Sequence, residues 1–142
     1  MNLFKHPRKN DSRQPSQTTT QKGNLGESAA CNYLTSKGWR IIERNWRFSH
    51  LEIDIIAQNE NYIAFVEVKT RKYVKDSPYG TAAQAVNRSK QQNIIKAAQV
   101  YLAWYPTDLQ ARLDIVEVYT DPTTDKFKVV KINHLENAYM RR

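Results

Sequence analysis

The sequence has little cysteine and no long hydrophobic run. Cys31 is the single cysteine among 142 residues, which excludes an internal disulfide framework and is typical of proteins from a reducing cytoplasm. No cysteines and histidines have the spacing of a zinc site, no apolar run reaches the length of a membrane span, and no signal-peptide pattern opens the sequence. We therefore expect a cytoplasmic protein that is not embedded in a membrane.

Acidic residues are also scarce. The 14 Asp and Glu residues stand against 22 Lys and Arg residues, which gives a net charge of +8 and favours nucleic acid as an anionic partner. Residues 1–22 contain five basic residues and one acidic residue, so they carry +4 of this charge and are predicted to form a flexible basic tail. The tail either adds nonspecific affinity for nucleic acid or is inert. Residues 23–142 are long enough for one domain with its own core.

The spacing of apolar residues predicts the element order α-β-β-β-α-β-β. This order indicates an α/β domain with a mixed sheet of about five strands and flanking helices. Asn24 is expected to cap the first helix and Gly38 to end it. The second helix is expected over 81–104, bent or split near Asn87, after a loop over 70–80. The predicted strands cover 39–48, 51–57, 65–69, 111–120 and 126–133.

Two of these strands alternate apolar and charged residues and are joined by a short polar turn over 58–61. Residues 51–57 read Leu-Glu-Ile-Asp-Ile-Ile-Ala, and residues 65–69 read Phe-Val-Glu-Val-Lys. This pattern predicts a hairpin whose faces are both covered, as in the central strands of an α/β sheet. One face is expected to be continuously apolar, from Leu51, Ile53, Ile55, Ala64, Val66 and Val68.

The other face of the predicted hairpin carries three carboxylates and one lysine. Because side chains alternate along a strand, Glu52 and Asp54 share a face, and so do Glu67 and Lys69. One allowed register pairs Glu52 with Glu67, and the other pairs Asp54 with Glu67. Clustered anions at the end of an apolar face are unfavourable unless a cation joins them. The alternative is a solvated strand edge, where such charged pairs are common.

Several motifs agree in order and spacing with a known family. They are Gly23-x-x-Gly26-Glu27, Arg44-Asn45, Glu52-Ile53-Asp54, Phe65-Val66-Glu67-Val68-Lys69-x-Arg71 and the helix from Ala85-Val86 to Tyr101-Leu102. Over residues 23–138 the chain resembles the YraN family, small proteins assigned to the restriction-endonuclease-like superfamily. It is also similar to archaeal Holliday-junction resolvases, which belong to that superfamily.

The resemblance implies the PD-(D/E)-x-K nuclease core and its cofactor, Mg²⁺ or Mn²⁺. Asp54 would be the metal-binding aspartate, Glu67 the second acidic ligand and Lys69 the catalytic lysine. The backbone carbonyl of Val68 is a candidate for a further oxygen ligand. Glu52 belongs to the YraN pattern without a fixed role and is a supporting candidate for metal binding.

Glu27 looks like the additional acidic catalytic residue of resolvase-type members. A purely structural explanation stands beside this one, because an acid three residues after the Asn24 cap is favoured by capping and by the helix dipole. One position departs from the family pattern: Leu51 stands where the family usually has glycine. A glycine would allow close approach of backbone or substrate, but strand alternation places Leu51 on the apolar face.

The expected nucleic-acid contacts lie in the 70–80 loop and at the start of the second helix. Basic side chains would contact phosphates, and tyrosines would stack on bases. The candidates are Arg71, Lys72, Tyr73, Lys75, Tyr79, Gln84, Arg88 and Lys90. For each residue of the helix, an ordinary solvated face is the structural alternative.

Three functions are compatible with the sequence. The first is a metal-dependent endonuclease acting on DNA, including branched or junction structures. The second is a nucleic-acid-binding module that keeps the nuclease fold without cleavage. The third is a role in protein interaction or RNA processing, in which the acidic hairpin is structural. Junction-cleaving relatives work as dimers, so the resemblance also implies a homodimer.

Overall fold

A five-stranded mixed sheet with the order β1-β2-β3-β4-β5 forms the centre of the domain. The computed structural model describes residues 19–75 and 88–138. Neighbouring strands are antiparallel except β3 and β4, which are parallel and joined through α2. The elements are α1 (Thr19–Ser36), β1 (Arg40–Phe48), β2 (Leu51–Gln58), β3 (Tyr62–Lys72), α2 (Arg88–Trp104), β4 (Gln110–Thr120) and β5 (Val129–Leu135). This order and the α/β class are those predicted, and they are consistent with a restriction-endonuclease-like fold.

The first helix begins earlier than the sequence predicted. Because α1 already includes Thr19, Asn24 lies inside the helix and is not its cap. Residues 19–22, assigned to the tail, are part of the same helix. The capping explanation for Glu27 is therefore wrong, since Glu27 does not lie in the first turn.

The end of α1 is as predicted. Gly38 adopts a positive φ of 95°, a conformation in which glycine avoids the strain of a Cβ. Its N–H donates to Thr35 O at 3.1 Å, and the N–H of Trp39 donates to Leu34 O at 3.0 Å. These two bonds form a Schellman motif, which satisfies the last carbonyls of the helix and turns the chain into β1.

The β2–β3 hairpin adopts the second of the two predicted registers. Ile55 faces Val66 and Gln58 faces Ile63, so continued pairing would set Asp54 against Glu67. The predicted loop over 70–80 begins too early, because β3 stays paired with β4 as far as Lys72 and Thr120. The last strand starts at Val129 and not at 126, after the turn that follows β4.

Each face of the sheet is covered by one helix. On one face Ala30 and Leu34 of α1 pack in a cluster with Ile55, Val66 and Val118. On the other, α2 packs its buried Ala97 and Tyr101 against a second cluster. That second cluster contains Ile56, Ile63, Phe65, Trp46, Leu51 and Ile53.

The predicted continuous apolar face is therefore interrupted. Ile55 packs under α1, whereas Leu51 and Ile53 pack under α2. The change occurs at Asp54, between Ile53, which pairs with Trp46, and Ile55, which pairs with Arg44. Asn45 has a φ of 52°, which breaks the regular alternation of β1 at this point. Leu51, at the family's glycine position, is buried and takes part in the core.

The second helix ends at Trp104, before Pro106, as predicted. Residues 81–87, the predicted first part of this helix, lie outside the described residues. Trp39 and Trp46 are buried in the core, whereas Trp104 is half exposed. Neither helix, within the part of the chain that the structure describes, is long and apolar enough to cross a membrane.

Candidate active site

Asp54 lies where β2 and β3 separate. The paired part of the hairpin ends at Ile55 and Val66. Beyond this pair, a side chain replaces the backbone as the hydrogen-bond acceptor: the N–H of Val68 donates to Asp54 Oδ2 at 2.8 Å. This hydrogen bond turns the carboxylate toward β3 and fixes it near Glu67.

Glu67 is a buried carboxylate that contacts two lysines. Its Oε2 lies 2.6 Å from Lys90 Nζ of α2 and 3.4 Å from Lys69 Nζ on its own strand. Burial acts to lower the pKa of Lys90, but the hydrogen bond and charge of Glu67 outweigh burial and raise that pKa. The ammonium of Lys90 is therefore held on Glu67, a contact that the sequence pattern did not predict.

The first helix brings Glu27 to the same place. A Cβ on Gly26 would overlap the Thr70 hydroxyl of β3, so glycine is what lets the helix lie this close. Among the described residues, Glu27 Oε1 is buried and accepts no hydrogen bond, and Arg44 Nη2 is 3.8 Å away. Burial raises the pKa of Glu27, although a hydrogen bond from Asn45 and the charge of Arg44 act to lower it.

The electrostatic environment perturbs both Asp54 and Lys69. Burial, reinforced by the charge of Glu67, raises the pKa of Asp54 to about 7, although the Val68 N–H acts against this rise. Burial lowers the pKa of Lys69; Glu67 opposes that change and Lys90 adds to it. Groups with perturbed pKa values concentrate at functional sites. An incoming cation would stabilise the ionised form of Asp54.

Two cavities meet at the site, and Asp54, Glu67 and Lys90 line both of them. The larger, of about 530 Å³, extends over the end of β3 to the β4–β5 turn. Its basic lining residues, besides Lys90, are Lys22, Lys69, Arg71, Lys72 and Lys126. The smaller, of about 360 Å³, is further lined by His50, Glu52, Ser89, Asn93 and Ile94. The carboxylate pair therefore borders a cavity on each of two sides.

The donor set fits a hard divalent cation. Within residues 19–75 and 88–138, no three His, Cys, Asp or Glu side chains are grouped closely enough to hold a metal by themselves. Mg²⁺ commonly takes only one or two carboxylates and fills its remaining positions with water and substrate phosphate. Asp54 and Glu67 supply such a pair. Glu27 also lines the larger cavity, and its buried Oε1 accepts no hydrogen bond among the described residues.

Two other predicted metal-site residues lie nearby. Val68 lines the larger cavity, next to Asp54 and Glu67. Glu52 lines the smaller cavity, where it accepts a hydrogen bond from Arg47 Nη2 at 3.2 Å. The side chain of Glu52 is 40% exposed, against 7% for that of Glu67. Glu52 is therefore much better solvated than the buried carboxylate of the central pair.

The predicted nucleic-acid contacts are distributed unevenly. Arg71 and Lys72 line the larger cavity, and Lys75 is exposed beyond β3. Tyr73 packs edge-on against Tyr119, with ring centroids 6.2 Å apart, so one edge of its ring already has a partner. Three predicted contacts have side chains outside the described part of the structure: Tyr79, Gln84 and Arg88.

Sequence reasoning missed several residues of this site. The pair Arg44-Asn45 carried a signal, since it recurs in the family pattern, but it suggested no role. In the structure Asn45 lies between the residues of β1 that pair with Ile53 and Ile55, and its side chain forms a hydrogen bond with Glu27. The β4–β5 turn, including Lys126, gave no signal, because its approach depends on the parallel pairing of β3 with β4.

The fold is that of a mixed α/β protein, with a helix first and then a five-stranded mixed sheet, and it is consistent with a restriction-endonuclease-like fold. The chain belongs to the uncharacterised protein family UPF0102, the YraN family, whose pattern matches residues 26–118.

Relatives in this family cover most of the chain. A UPF0102 protein of Caldanaerobacter subterraneus subsp. tengcongensis is 45% identical over 118 residues, which is 82% of this chain and 93% of that protein. One from Acetivibrio thermocellus is 42% identical over 82% of this chain and 89% of its own length. A third, from Flavobacterium psychrophilum, is 39% identical over 82% of this chain and 92% of its own length.

Proposed function

We propose that this protein is a metal-dependent endonuclease that hydrolyses phosphodiester bonds in DNA, with branched or junction structures among its substrates. The observation that carries the proposal is the meeting of Asp54, Glu67 and Lys69 at the point where β2 and β3 separate, between two cavities. Clustered carboxylates next to a lysine are costly unless a function retains them.

Each central side chain has a role in this proposal. Asp54 and Glu67 would hold Mg²⁺ or Mn²⁺, with the Val68 carbonyl and Glu27 as further oxygen donors. A bound divalent cation would polarise the phosphate and lower the pKa of a nearby water. Lys69 lies 3.4 Å from Glu67 and, as a point charge, would stabilise the negative charge that develops on the phosphate in the transition state.

The larger cavity supplies the binding surface for the substrate backbone. Lys22, Arg71, Lys72 and Lys126 line it, and cations of this kind bind phosphates without reading base sequence. Their placement favours recognition of DNA shape over recognition of sequence. We further propose that the protein works in the cytoplasm, where its buried Cys31 would remain reduced, and that it acts as a homodimer, as the resemblance to resolvases implies.

A cleavage assay tests the proposal. End-labelled duplex, flap and four-way-junction DNA are incubated with protein and Mg²⁺ or Mn²⁺, with EDTA as the blank. We expect metal-dependent internal cuts that Glu67→Ala and Lys69→Ala reduce by about a hundredfold or more, the scale of losing one electrostatic group from a catalytic site. Glu60→Ala is the matched control, since Glu60 is exposed in the β2–β3 turn.

The outcome against the proposal is equally specific. If both site variants cleave like the wild-type protein in every reaction, the nuclease site is not at Glu67 and Lys69. If no substrate is cut by any form of the protein with either metal, the proposed enzyme activity is wrong.

One observation favours a second function, a nucleic-acid-binding module without cleavage. Glu67 already contacts two ammonium groups, so this carboxylate has counter-ions of its own. Such a module would bind DNA with a strong salt dependence, and replacing EDTA by Mg²⁺ would not increase its affinity. Fluorescence anisotropy on labelled DNA measures this difference directly.

A further inference from the structure

The charges of the site are balanced from within. Arg44 lies beside Glu27 and Arg47 beside Glu52, so the two outer carboxylates each have a nearby arginine. At the centre of the site, Lys69 and Lys90 both contact Glu67 Oε2. Lys90 also interacts electrostatically with Asp54, which makes no ion pair with either lysine among the described contacts.

The two lysines differ in side-chain exposure and in their distance from Glu67. Lys69 is 22% exposed, whereas Lys90 is 46% exposed and lines both cavities. Lys90 nevertheless makes the shorter contact with Glu67, at 2.6 Å against 3.4 Å. Its long side chain can rotate away from Glu67 into either cavity without any movement of the α2 backbone.

We propose that the Lys90 ammonium occupies the place on Glu67 that a divalent cation takes, and that cation binding transfers Lys90 to a phosphate of the nucleic acid. This inference rests on the proposed function. Its reason is electrostatic: a divalent cation and an ammonium cannot share one carboxylate oxygen without strong repulsion. The released ammonium lies in the cavities that would hold the substrate, where a phosphate is the nearest anion.

Metal binding and nucleic-acid binding are then coupled. Before the cation binds, Lys90 is used by Glu67 and adds nothing to DNA affinity. Afterwards it provides an additional phosphate contact, so each ligand strengthens the binding of the other by the same factor. A simple phosphate contact at Lys90 would behave differently, because it would strengthen DNA binding equally with and without metal.

Two binding measurements test this coupling. Calorimetry gives the affinity for Ca²⁺, a cation of the same charge and oxygen preference, without DNA. Fluorescence anisotropy gives the affinity for a labelled four-way-junction DNA in EDTA and in Ca²⁺ at constant ionic strength. Both use the full chain with Lys90→Met, Lys90→Gln and Lys90→Arg. The matched control is Lys96→Met, an exposed lysine about 9 Å further along the axis of the same helix.

We expect Lys90→Met to bind Ca²⁺ about tenfold more tightly than the wild-type protein, the scale of one charge-assisted contact. Its DNA affinity should equal the wild-type value in EDTA and be about tenfold weaker in Ca²⁺. Lys90→Gln should follow Lys90→Met, because glutamine keeps a hydrogen-bond donor but no charge. Lys90→Arg and Lys96→Met should keep the wild-type coupling.

Three results would overturn this inference alone, and a fourth would overturn it together with the metal site. Equal weakening of DNA binding with and without Ca²⁺ would make Lys90 an ordinary phosphate contact. Weaker Ca²⁺ binding by Lys90→Met would mean that Lys90 only supports Glu67. Wild-type behaviour of Lys90→Met in both measurements would mean that Lys90 has no role in either binding event. None of these three results would contradict the proposed nuclease activity. Failure of every form to bind Ca²⁺, with or without DNA, would overturn the metal site and this inference together.

Discussion

At the scale of single residues, the approach of α1 to β3 depends on one missing side chain. A Cβ on Gly26 would overlap Thr70, whereas a Cβ on Gly23, in the same helix, would meet nothing within 4 Å. Alanine is otherwise the better helix former. The two glycines therefore allow the same substitution to be compared with and without a steric conflict.

We predict opposite effects at these two positions. Gly26→Ala should lower the free energy of unfolding by about 1–3 kcal/mol, the usual cost of overpacking, and should impair cleavage because α1 carries Glu27. Gly23→Ala should stabilise the protein by about 0.5–1 kcal/mol. Urea denaturation measures both. Adding Thr70→Ala should restore most of the Gly26→Ala loss; no restoration would show that the contact with Thr70 is not the cause.

The raised pKa of Asp54, again a property of a single residue, predicts that the free energy of unfolding depends on pH. Its folded-state pKa is about 7 against an ordinary value of 3.8, so between these values the folded protein binds a proton that the unfolded chain does not. The contribution of Asp54 to the free energy of unfolding is therefore fully present below about pH 4. It is lost as the pH rises through about 7, and it does not return at higher pH.

Asp54→Asn should remove this dependence in metal-free buffer. The variant should match the wild-type stability near pH 4 and exceed it by up to about 4 kcal/mol at pH 8, the equivalent of a shift of about three pKa units. Thermal unfolding over this pH range is the measurement, with the exposed Asp108→Asn as control. If the difference in free energy of unfolding between the two proteins does not increase with pH, the pKa of Asp54 is not raised in the folded protein.

At the scale of elements, a buried ionic cluster connects β4 with β5. Asp114 is fully buried; its carboxylate accepts hydrogen bonds from Arg112 at 2.7 Å and from the N–H of Asn137 at 3.0 Å. His134 Nε2 lies 2.8 Å from the same carboxylate. Although burial acts in the opposite direction, the hydrogen bonds from His134 and Arg112 lower the pKa of Asp114.

Asp114→Ala should destabilise the protein by about 3–5 kcal/mol, because it leaves Arg112 buried without its main partner. Asp125→Ala, in the exposed β4–β5 turn, is the control and should be close to neutral. Chemical denaturation compares the two. Equal midpoints for both variants would mean that the cluster does not hold β5 in place.

At the scale of the whole molecule, the site is assembled from distant segments. Glu27 comes from α1, Asp54 from β2, Glu67 and Lys69 from β3, and Lys90 from α2. The β4–β5 turn closes the far end of the larger cavity. This arrangement depends on the parallel pairing of β3 with β4, which places the end of β3 beside the end of β4.

Local sequence pattern predicted the parts of this assembly that depend on neighbours along the chain. The alternation in β2 and β3 was enough for the hairpin and its two possible registers, and Gly38 was enough for the end of α1. The start of α1 was predicted wrongly, because an asparagine followed three residues later by a glutamate, as in Asn24 and Glu27, also occurs inside helices.

The parts that pattern missed depend on tertiary contacts. Lys90 was predicted as a nucleic-acid contact, with a solvated helix face as the alternative, but the packing of α2 brings it to Glu67. Asp114 and Glu117 are buried, although charged residues in a strand usually indicate a solvated face. The positive φ of Asn45, which interrupts the alternation of β1, has no signature in a single sequence.

The central claim is that Asp54 and Glu67 form one divalent-cation site. Calorimetric titration of the purified protein with Mn²⁺ tests it most directly, with Asp54→Asn and Glu67→Gln as site variants and the exposed Glu60→Gln as control. We expect binding of one cation per chain in the wild-type protein and in Glu60→Gln, and its loss in both site variants. Mn²⁺ binding that is the same in all four proteins would contradict the claim.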